Sequence, residues 1–478
     1  MTSPQTETVY PNGYIPKNKR KTILFLSDDM RLPSGIGVMS KEIILNTCHK
    51  FNWVQLGSAV QHPEQGNKID MSVAVSKESG VPDAKVTIYP YSGYGDPNVI
   101  RRLIKLESID GILHFTDPRF WIWLYNMEHE IRQKMPLMYY HVWDNLPYPK
   151  YNELYYRSCD SIITISKQTY NIVRQVCRDA PIDEIPLVFY VPHGINPSIW
   201  KNYRNTEEGQ VKIDELRKML LGENHENIKF VVFYNNRNIR RKMAPDIINA
   251  YATFLHRLPE DKRDECRLVM HTDPVDGNGT DLPTYLKDVH PDVKVIFSGT
   301  KVPAEQLALL YNISDVCINA STAEGFGLST LEAIMCETMI IATVTGGLQD
   351  QMGFVDDEGT PLDKDIHFNY QWGTNADGKY RKHGPWVIPL YPQNRSIIGS
   401  PPTPYIYEDR IRWEDVTDAL LEIHELPPEE RDRRGKLGRQ WAIESANMTS
   451  SDLGDSMADC IDETFKTFVP RKKFGIYT

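Results

Sequence analysis

Short runs of β-branched and aromatic residues alternate with longer stretches of helical periodicity along most of this 478-residue chain, and few folds accommodate that rhythm. Lys21–Ser27 (KTILFLS) reads as a strand buried on both faces, followed by a helix over Met39–Cys48. Gly111–Phe115, Pro136–His141, Ser161–Ser166 and Val188–His193 continue the strand series. A polar, irregular stretch, Gly194–Gln210, reads as a hinge. A second series then opens with the strand Lys229–Tyr234 and the helix Pro245–Leu255. It continues through Arg267–His271, Pro303–Tyr311, Asp315–Asn319, a helix from Leu328 and the strand Met339–Thr343. Two such series predict an α/β protein of two Rossmann-like, doubly wound domains facing across a cleft.

The expected division is a flexible lead-in over 1–21, a first domain over 22–200, a second over 201–450, and a closing helix with a basic tail over 451–478. Within the second domain, residues 351–410 interrupt the rhythm. They are rich in Gly, Pro, Asn and aromatics, as in QWGTNADGKY and GSPPTPYIY, and read as an ordered insertion. Arg412–Glu425, Pro428–Ala446 and Ser451–Phe468 have helical spacing.

Charge and cysteine content narrow the function classes. With 54 basic against 64 acidic residues the net charge is −10, which disfavours a chain devoted to wrapping nucleic acid. No apolar run approaches the roughly 20 residues of a membrane helix, and the first 21 residues lack the apolar core of a secretory signal. The seven cysteines contain no C-x-x-C pair, so neither a disulfide framework nor a zinc site is expected, and a cytoplasmic setting is the default.

Three constellations carry chemistry. In Ser321–Asp350 (STAEGFGLSTLEAIMCETMIIATVTGGLQD) a strand leads into a loop with Glu324-Gly325-Phe326-Gly327 and then a helix bearing Glu332. Glycines beside Phe326 let backbone N–H groups approach a ligand, and two carboxylates eight residues apart suit recognition of sugar hydroxyls. Ser329-Thr330-Leu331-Glu332 is equally a capping box by pattern, which would make Glu332 a helix-start residue. In NNRNIRRKMAPD, directly after a strand, Arg237 and Lys242 lie five apart and would hold a diphosphate from two sides, unless the loop is only a solvated basic run. Pro33-Ser34-Gly35-Ile36-Gly37-Val38 follows the first strand; Gly35 and Gly37 permit close phosphate approach, or form an ordinary tight turn. It is neither G-x-G-x-x-G nor a P-loop, so a dinucleotide dehydrogenase and a P-loop kinase are disfavoured. His141, at a strand's carboxyl end, is a hydrogen-bonding or acid/base group or a structural histidine. Asp28, Asp29 and Asp117 hold similar positions.

Taken together and in order, these motifs resemble the retaining GT-B glycosyltransferases of family 4, the glycosyl transferases group 1. AEGFGLSTLE is similar to that family's E-x7-E element, NNRNIRRKMAPDIINAY to its basic diphosphate loop, SGIG to its first glycine loop, and YYHVWD to its strand-end histidine element. CDSIITIS, VPHGIN, HTDP and DVCINASTAEGFG extend the likeness. The chain departs from the family at Cys336-Glu337-Thr338, and Thr345–Asp350 is closer to the glycine loop of bacterial glycogen and starch synthases. The resemblance implies an N-terminal acceptor domain and a C-terminal nucleotide-sugar domain, with the last helix crossing back onto the first. It implies catalytic roles for Glu324, Arg237, Lys242 and His141, and donor contacts from Gly35, Gly37, Gly325, Phe326, Gly327 and Glu332. The implied reaction is metal-independent transfer, with retention, from a UDP- or GDP-sugar. No cofactor is implied beyond that co-substrate. The acceptor stays open among a saccharide, a small molecule, a lipid-linked sugar and a hydroxymethylated DNA base. A sugar-nucleotide epimerase and a non-catalytic nucleotide-sugar-binding module are the alternatives.

Overall fold

The computed structural model describes residues 11–472 apart from 60, 300, 365–374 and 376–379. The first ten residues of the lead-in, most of QWGTNADGKY and the end of the basic tail therefore lie outside the described residues. The first domain is built on an eight-stranded sheet. Its strands are β1 (Lys21–Asp28), β2 (Phe51–Ser58), β3 (Ile69–Asp70), β4 (Val86–Pro90), β5 (Gly111–Phe115), β6 (Leu137–His141), β7 (Ser161–Thr164) and β8 (Leu187–Tyr190), in the order β3-β4-β2-β1-β5-β6-β7-β8. All neighbours are parallel except β3 against β4. Parallel strands covered on both faces read as continuous apolar runs, and β1 is buried from Thr22 to Leu26 and beyond.

The second domain carries β9 (Phe230–Asn235), β10 (Cys266–His271), β11 (Val295–Phe297), β12 (Val316–Asn319), β13 (Met339–Thr343) and β14 (Val387–Leu390), all parallel, in the order β11-β10-β9-β12-β13-β14. In both sheets the chain starts at a central strand, runs outward to one side and then restarts on the other. The switch points fall between β1 and β5 and between β9 and β12, where the carboxyl ends of open α/β sheets form ligand crevices.

Several expected boundaries shift for identifiable reasons. The first helix runs Gly35–Thr47, starting four residues early, because the Ser34 hydroxyl caps it by accepting from the Gly37 N–H at 3.0 Å. Gly35 and Gly37 thus belong to the first helical turn. The stretch 351–410 is not one irregular insertion: Val387–Leu390 is the edge strand β14, paired with β13. It is followed by an antiparallel hairpin, β15 (Asn394–Ser400) with β16 (Thr403–Arg410). Two chain crossings join the domains. Ile195 bridges Thr449, and a Cβ on Gly194 would lie 2.0 Å from the Thr449 carbonyl oxygen, so only glycine fits there. The closing helix, Ser450–Thr467, packs on the helix Gly35–Thr47 of the first domain, and its Thr464 hydroxyl donates to Ser161 Oγ at 2.8 Å. All seven cysteines are free and buried, as core residues.

Candidate active site

The two crevices meet across the cleft. The loop after β9 and the loop after β12 are tied together where the Thr322 N–H donates to the Arg241 carbonyl at 2.9 Å. A single turn, Arg240–Lys242, ends in Met243 at φ 55°, and the Tyr234 hydroxyl donates to the Lys242 carbonyl at 3.1 Å. That turn aims Arg241 and Lys242 together at Glu324. Arg241 Nη1 donates to Glu324 Oε2 at 2.6 Å and to the Ala323 carbonyl at 2.6 Å, and Lys242 Nζ donates to the same carboxylate oxygen. Burial pushes the Glu324 carboxyl up, but the adjacent Lys242 and Arg241 outweigh it and bring the pKa down to about 2. Burial lowers Lys242 to about 8, a shift that Glu324 only partly offsets.

Glu332 lies deeper. Its Oε2 accepts from the Tyr311 hydroxyl at 2.7 Å and from Asn235 Nδ2 at 3.3 Å, and burial raises it to about 7. It does not close a capping box. The helix Leu328–Met335 starts after Gly327, at φ 90°, without a side-chain cap. The loop 324–327 is clasped from behind. The Gly347 N–H donates to the Glu324 carbonyl at 2.9 Å, and a Cβ on Gly346 or Gly347 would come within 2.0 or 2.2 Å of the Glu324 or Gly325 carbonyl oxygens. From the first domain, Asp144 reaches Arg241 at 3.9 Å, and a Cβ on Gly325 would meet the Val142 carbonyl at 2.9 Å.

The other expected residues are placed differently. Arg237 is exposed and paired with Asp276 at 2.7 Å, at the rim of the cluster; Arg241, its neighbour in the basic run, occupies the interior. His141 is fully buried, with Nδ1 on the Tyr139 hydroxyl at 3.0 Å and Nε2 on the Tyr156 hydroxyl at 2.8 Å, and burial lowers it to about 3. With both ring nitrogens engaged it is a structural histidine here, and Asp144, three residues on, is what reaches the cleft. Phe326 turns inward against His193, ring centroids 5.0 Å apart, so it is a contact between domains rather than an open ligand face. Gly35 is exposed and faces Leu328 across the cleft, whereas the Gly37 N–H is taken by Ser34. Sequence reasoning missed Arg241, Asp144, Asn235 and Tyr311. The one available signal was RRK, which names three adjacent bases without saying which turn inward.

Comparison with known proteins bears on the family and the fold. Residues 222–354, spanning β9 to the loop after β13, match the glycosyl transferases group 1. That match falls within the C-terminal domain. A D-inositol 3-phosphate glycosyltransferase of Saccharomonospora viridis is 30% identical to the chain over 186 residues, covering 38% of this chain and 39% of that one. An alpha-monoglucosyldiacylglycerol synthase of Acholeplasma laidlawii is 27% identical over 195 residues, 40% and 43% of the two chains. The chain thus spans less than half the length of these curated relatives. Solved structures align across both domains. Sucrose-phosphate synthase of Thermosynechococcus elongatus gives a TM-score of 0.63 at 15% identity, covering 94% of this chain and 100% of that one. Anabaena HepE in complex with UDP and glucose gives 0.61 at 15%, covering 93% and 100%. At such identities the structures speak to the fold, which is GT-B: two Rossmann-like domains, the second of which holds the stretch similar to the glycosyl transferases group 1.

Proposed function

We propose that the protein is a retaining, metal-independent glycosyltransferase that moves a sugar from a nucleotide-sugar donor to an acceptor hydroxyl. The observation that carries this reading is the convergence of Arg241 and Lys242 on Glu324 at the second switch point, with Glu332 held deeper by Tyr311 and Asn235. In the donor complex, Lys242 and Arg241, with Arg237 swung in from the rim, bind the diphosphate and stabilise it as it leaves. Their charge does at the phosphates what a divalent cation does elsewhere. Glu324, released as its cations turn to the phosphates, accepts from hydroxyls of the transferred sugar, and Glu332 accepts from the ribose hydroxyls. The exposed backbone at Gly35 approaches the phosphates from the first domain. The acceptor oxygen bonds to the anomeric carbon on the face from which the phosphate oxygen departs, and the acceptor's proton passes to the leaving diphosphate. Catalysis rests on positioning and on electrostatics at the leaving group. Relatives named as inositol phosphate and diacylglycerol glycosyltransferases, and a structural neighbour holding UDP and glucose, support the class and favour a UDP-sugar.

The test is release of nucleoside diphosphate from UDP-, GDP- and ADP-sugars with and without a crude acceptor extract, followed by the anomeric configuration of the product. Acceptor-dependent release with an α-linked product from an α-linked donor is expected. Conversion of the donor sugar without any acceptor would point to an epimerase, and an inverted product would contradict retention.

A further inference from the structure

The hairpin β15–β16 has both ends rooted in the second domain. It leaves the edge strand β14 and returns to the helix Trp413–Glu425, which packs on the helix Ala244–Arg257. Its register pairs Arg395 with Asp409 and Ile397 with Tyr407, and among the described residues β16 has no strand on its other edge. A strand so placed turns the N–H and C=O of every second residue outward, where they need partners or water. The outward row here is Tyr405, Tyr407 and Asp409, and it is shared between the two domains. The Tyr151 hydroxyl donates to the Tyr405 carbonyl at 2.8 Å. Tyr407 is gripped twice: Asn145 Nδ2 donates to its carbonyl at 3.0 Å, and its N–H donates to the Leu146 carbonyl at 2.5 Å. Two residues on, the Asp409 N–H donates to the Thr322 carbonyl at 3.0 Å, and Asp409 Oδ2 accepts from the Thr345 hydroxyl at 2.8 Å.

These partners belong to the loops that build the site. Asn145 and Leu146 directly follow Asp144, which faces Arg241 from the first domain. Thr322 stands two residues before Glu324, and Thr345 precedes the Gly346-Gly347 pair that clasps the Glu324 loop. At a rise of about 3.4 Å per residue, the grips at Tyr407 and Asp409 lie about 7 Å apart along one strand. One short strand thus fixes the separation of the Asp144 and Glu324 loops directly, at the site itself, while the crossings at Ile195 and Thr449 join the domains elsewhere. Towards the hairpin tip the grip continues. The Tyr151 ring meets Tyr405 edge-on with centroids 4.9 Å apart, and Arg119 reaches the Thr403 hydroxyl. None of these bonds uses a side chain assigned to the donor, so the hairpin and a nucleotide do not compete for partners.

We propose that β16 is a brace across the cleft and that Asn145, Tyr151 and Thr345 are positioning residues acting through it, holding Asp144 and Glu324 at working distance whether or not a nucleotide is bound. The proposal rests on the transferase reading above for its effect on turnover. It is tested on the full chain with spin labels at Val73→Cys and Val289→Cys, exposed positions in the first and second domains of a protein whose native cysteines are all buried. Pulsed electron–electron resonance then reads the distance between domains without turnover. The parent should give one narrow distance, unchanged by UDP, GDP or ADP. The variant Asn145→Ala/Tyr407→Pro should give a broader distribution with a longer mean. Proline at 407 removes an outward N–H and spares the ladder to β15. With the active donor of the UDP-, GDP- and ADP-sugar panel, the same variant should release nucleoside diphosphate about 100-fold more slowly, with affinity for that nucleoside diphosphate held within a few-fold. Tyr151→Phe, which deletes one hydroxyl, should move the same readouts in the same direction by less. Thr345→Val should slow release and Thr345→Ser restore it, whereas Ile397→Ser, on the exposed side of the hairpin, should match the parent. A parent distance that shortens on adding nucleotide would overturn the proposal, as would distances unmoved in both brace variants. Nucleotide affinity falling in step with release would also overturn it, making the hairpin a scaffold only. Failure of the transferase reading would show separately, as no release by the parent from any donor, with the distance measurement still deciding the brace.

Discussion

Glu324, Lys242 and Arg241 act as a unit, because a buried ammonium and a buried carboxylate are each costly without the other. Lys242→Met should lower the stability of the second domain by about 3 kcal/mol in urea unfolding, and Lys242→Arg should recover most of that loss. The sign of the Glu324 linkage is that of a depressed carboxyl: its contribution is fully present above its ordinary pKa and is lost as pH falls through about 2. At working pH the groups that titrate are the other two. Glu332 is protonated below about 7, where it stops being a full acceptor for hydroxyls, and Lys242 loses its charge above about 8. The pH profile of kcat/KM for the donor should therefore be a narrow bell with limbs near those values, since that parameter reports the free enzyme. Glu332→Gln should remove the acid limb and Lys242→Arg the alkaline one; a profile unchanged by both would contradict the assignment.

At the scale of elements, the clasp of the loop after β13 on the loop after β12 holds Glu324 in place. Gly346→Ala would drive a methyl into the Glu324 carbonyl, and the backbone there, at φ 48°, already disfavours a side chain. Its expected effect is about 100-fold lower turnover with unchanged far-UV circular dichroism, because a displacement of about 1 Å at the reacting groups is enough for such a loss. A second clasp crosses the cleft, where Asp350 accepts from the Lys167 N–H at 2.8 Å at the start of the helix Lys167–Val176. Burial raises Asp350 to about 6, so its contribution to folding is fullest below its ordinary pKa and declines as pH rises through about 6. In Asp350→Asn the melting temperature should lose that part of its pH dependence between about 4 and 6. Elements differ in how legible they were. Gly111–Phe115 and Met339–Thr343 were read residue for residue from apolar runs. Phe51–Ser58 was not, because Asn52, Gln55 and Gly57 interrupt the run; Gln55 is nonetheless buried, its Nε2 donating to Ser27 Oγ and its Oε1 accepting from the Met30 N–H. Val387–Leu390 was hidden by the Pro- and Gly-rich sequence around it, although β13 provides its partner strand.

For the whole molecule, the decisive arrangement is two switch points brought face to face by two chain crossings at Ile195 and Thr449. That much follows from a doubled strand–helix rhythm with a final helix long enough to return. The interior of the site did not follow from it. Whether Arg237, Arg240 or Arg241 joins Lys242 is set by the turn ending at Met243, and whether His141 or Asp144 reaches the cleft is set by Tyr139 and Tyr156 closing around the histidine. Local pattern does not encode either outcome. On this reading the Arg241–Lys242–Glu324 cluster binds and activates a nucleotide-sugar donor. The decisive experiment compares nucleoside diphosphate release from the preferred donor by the parent and by Glu324→Gln, with UDP affinity determined on both by calorimetry. Release should fall by about 100- to 1,000-fold in Glu324→Gln with UDP affinity held within a few-fold. Release unaffected by Glu324→Gln would place the chemistry elsewhere in the molecule.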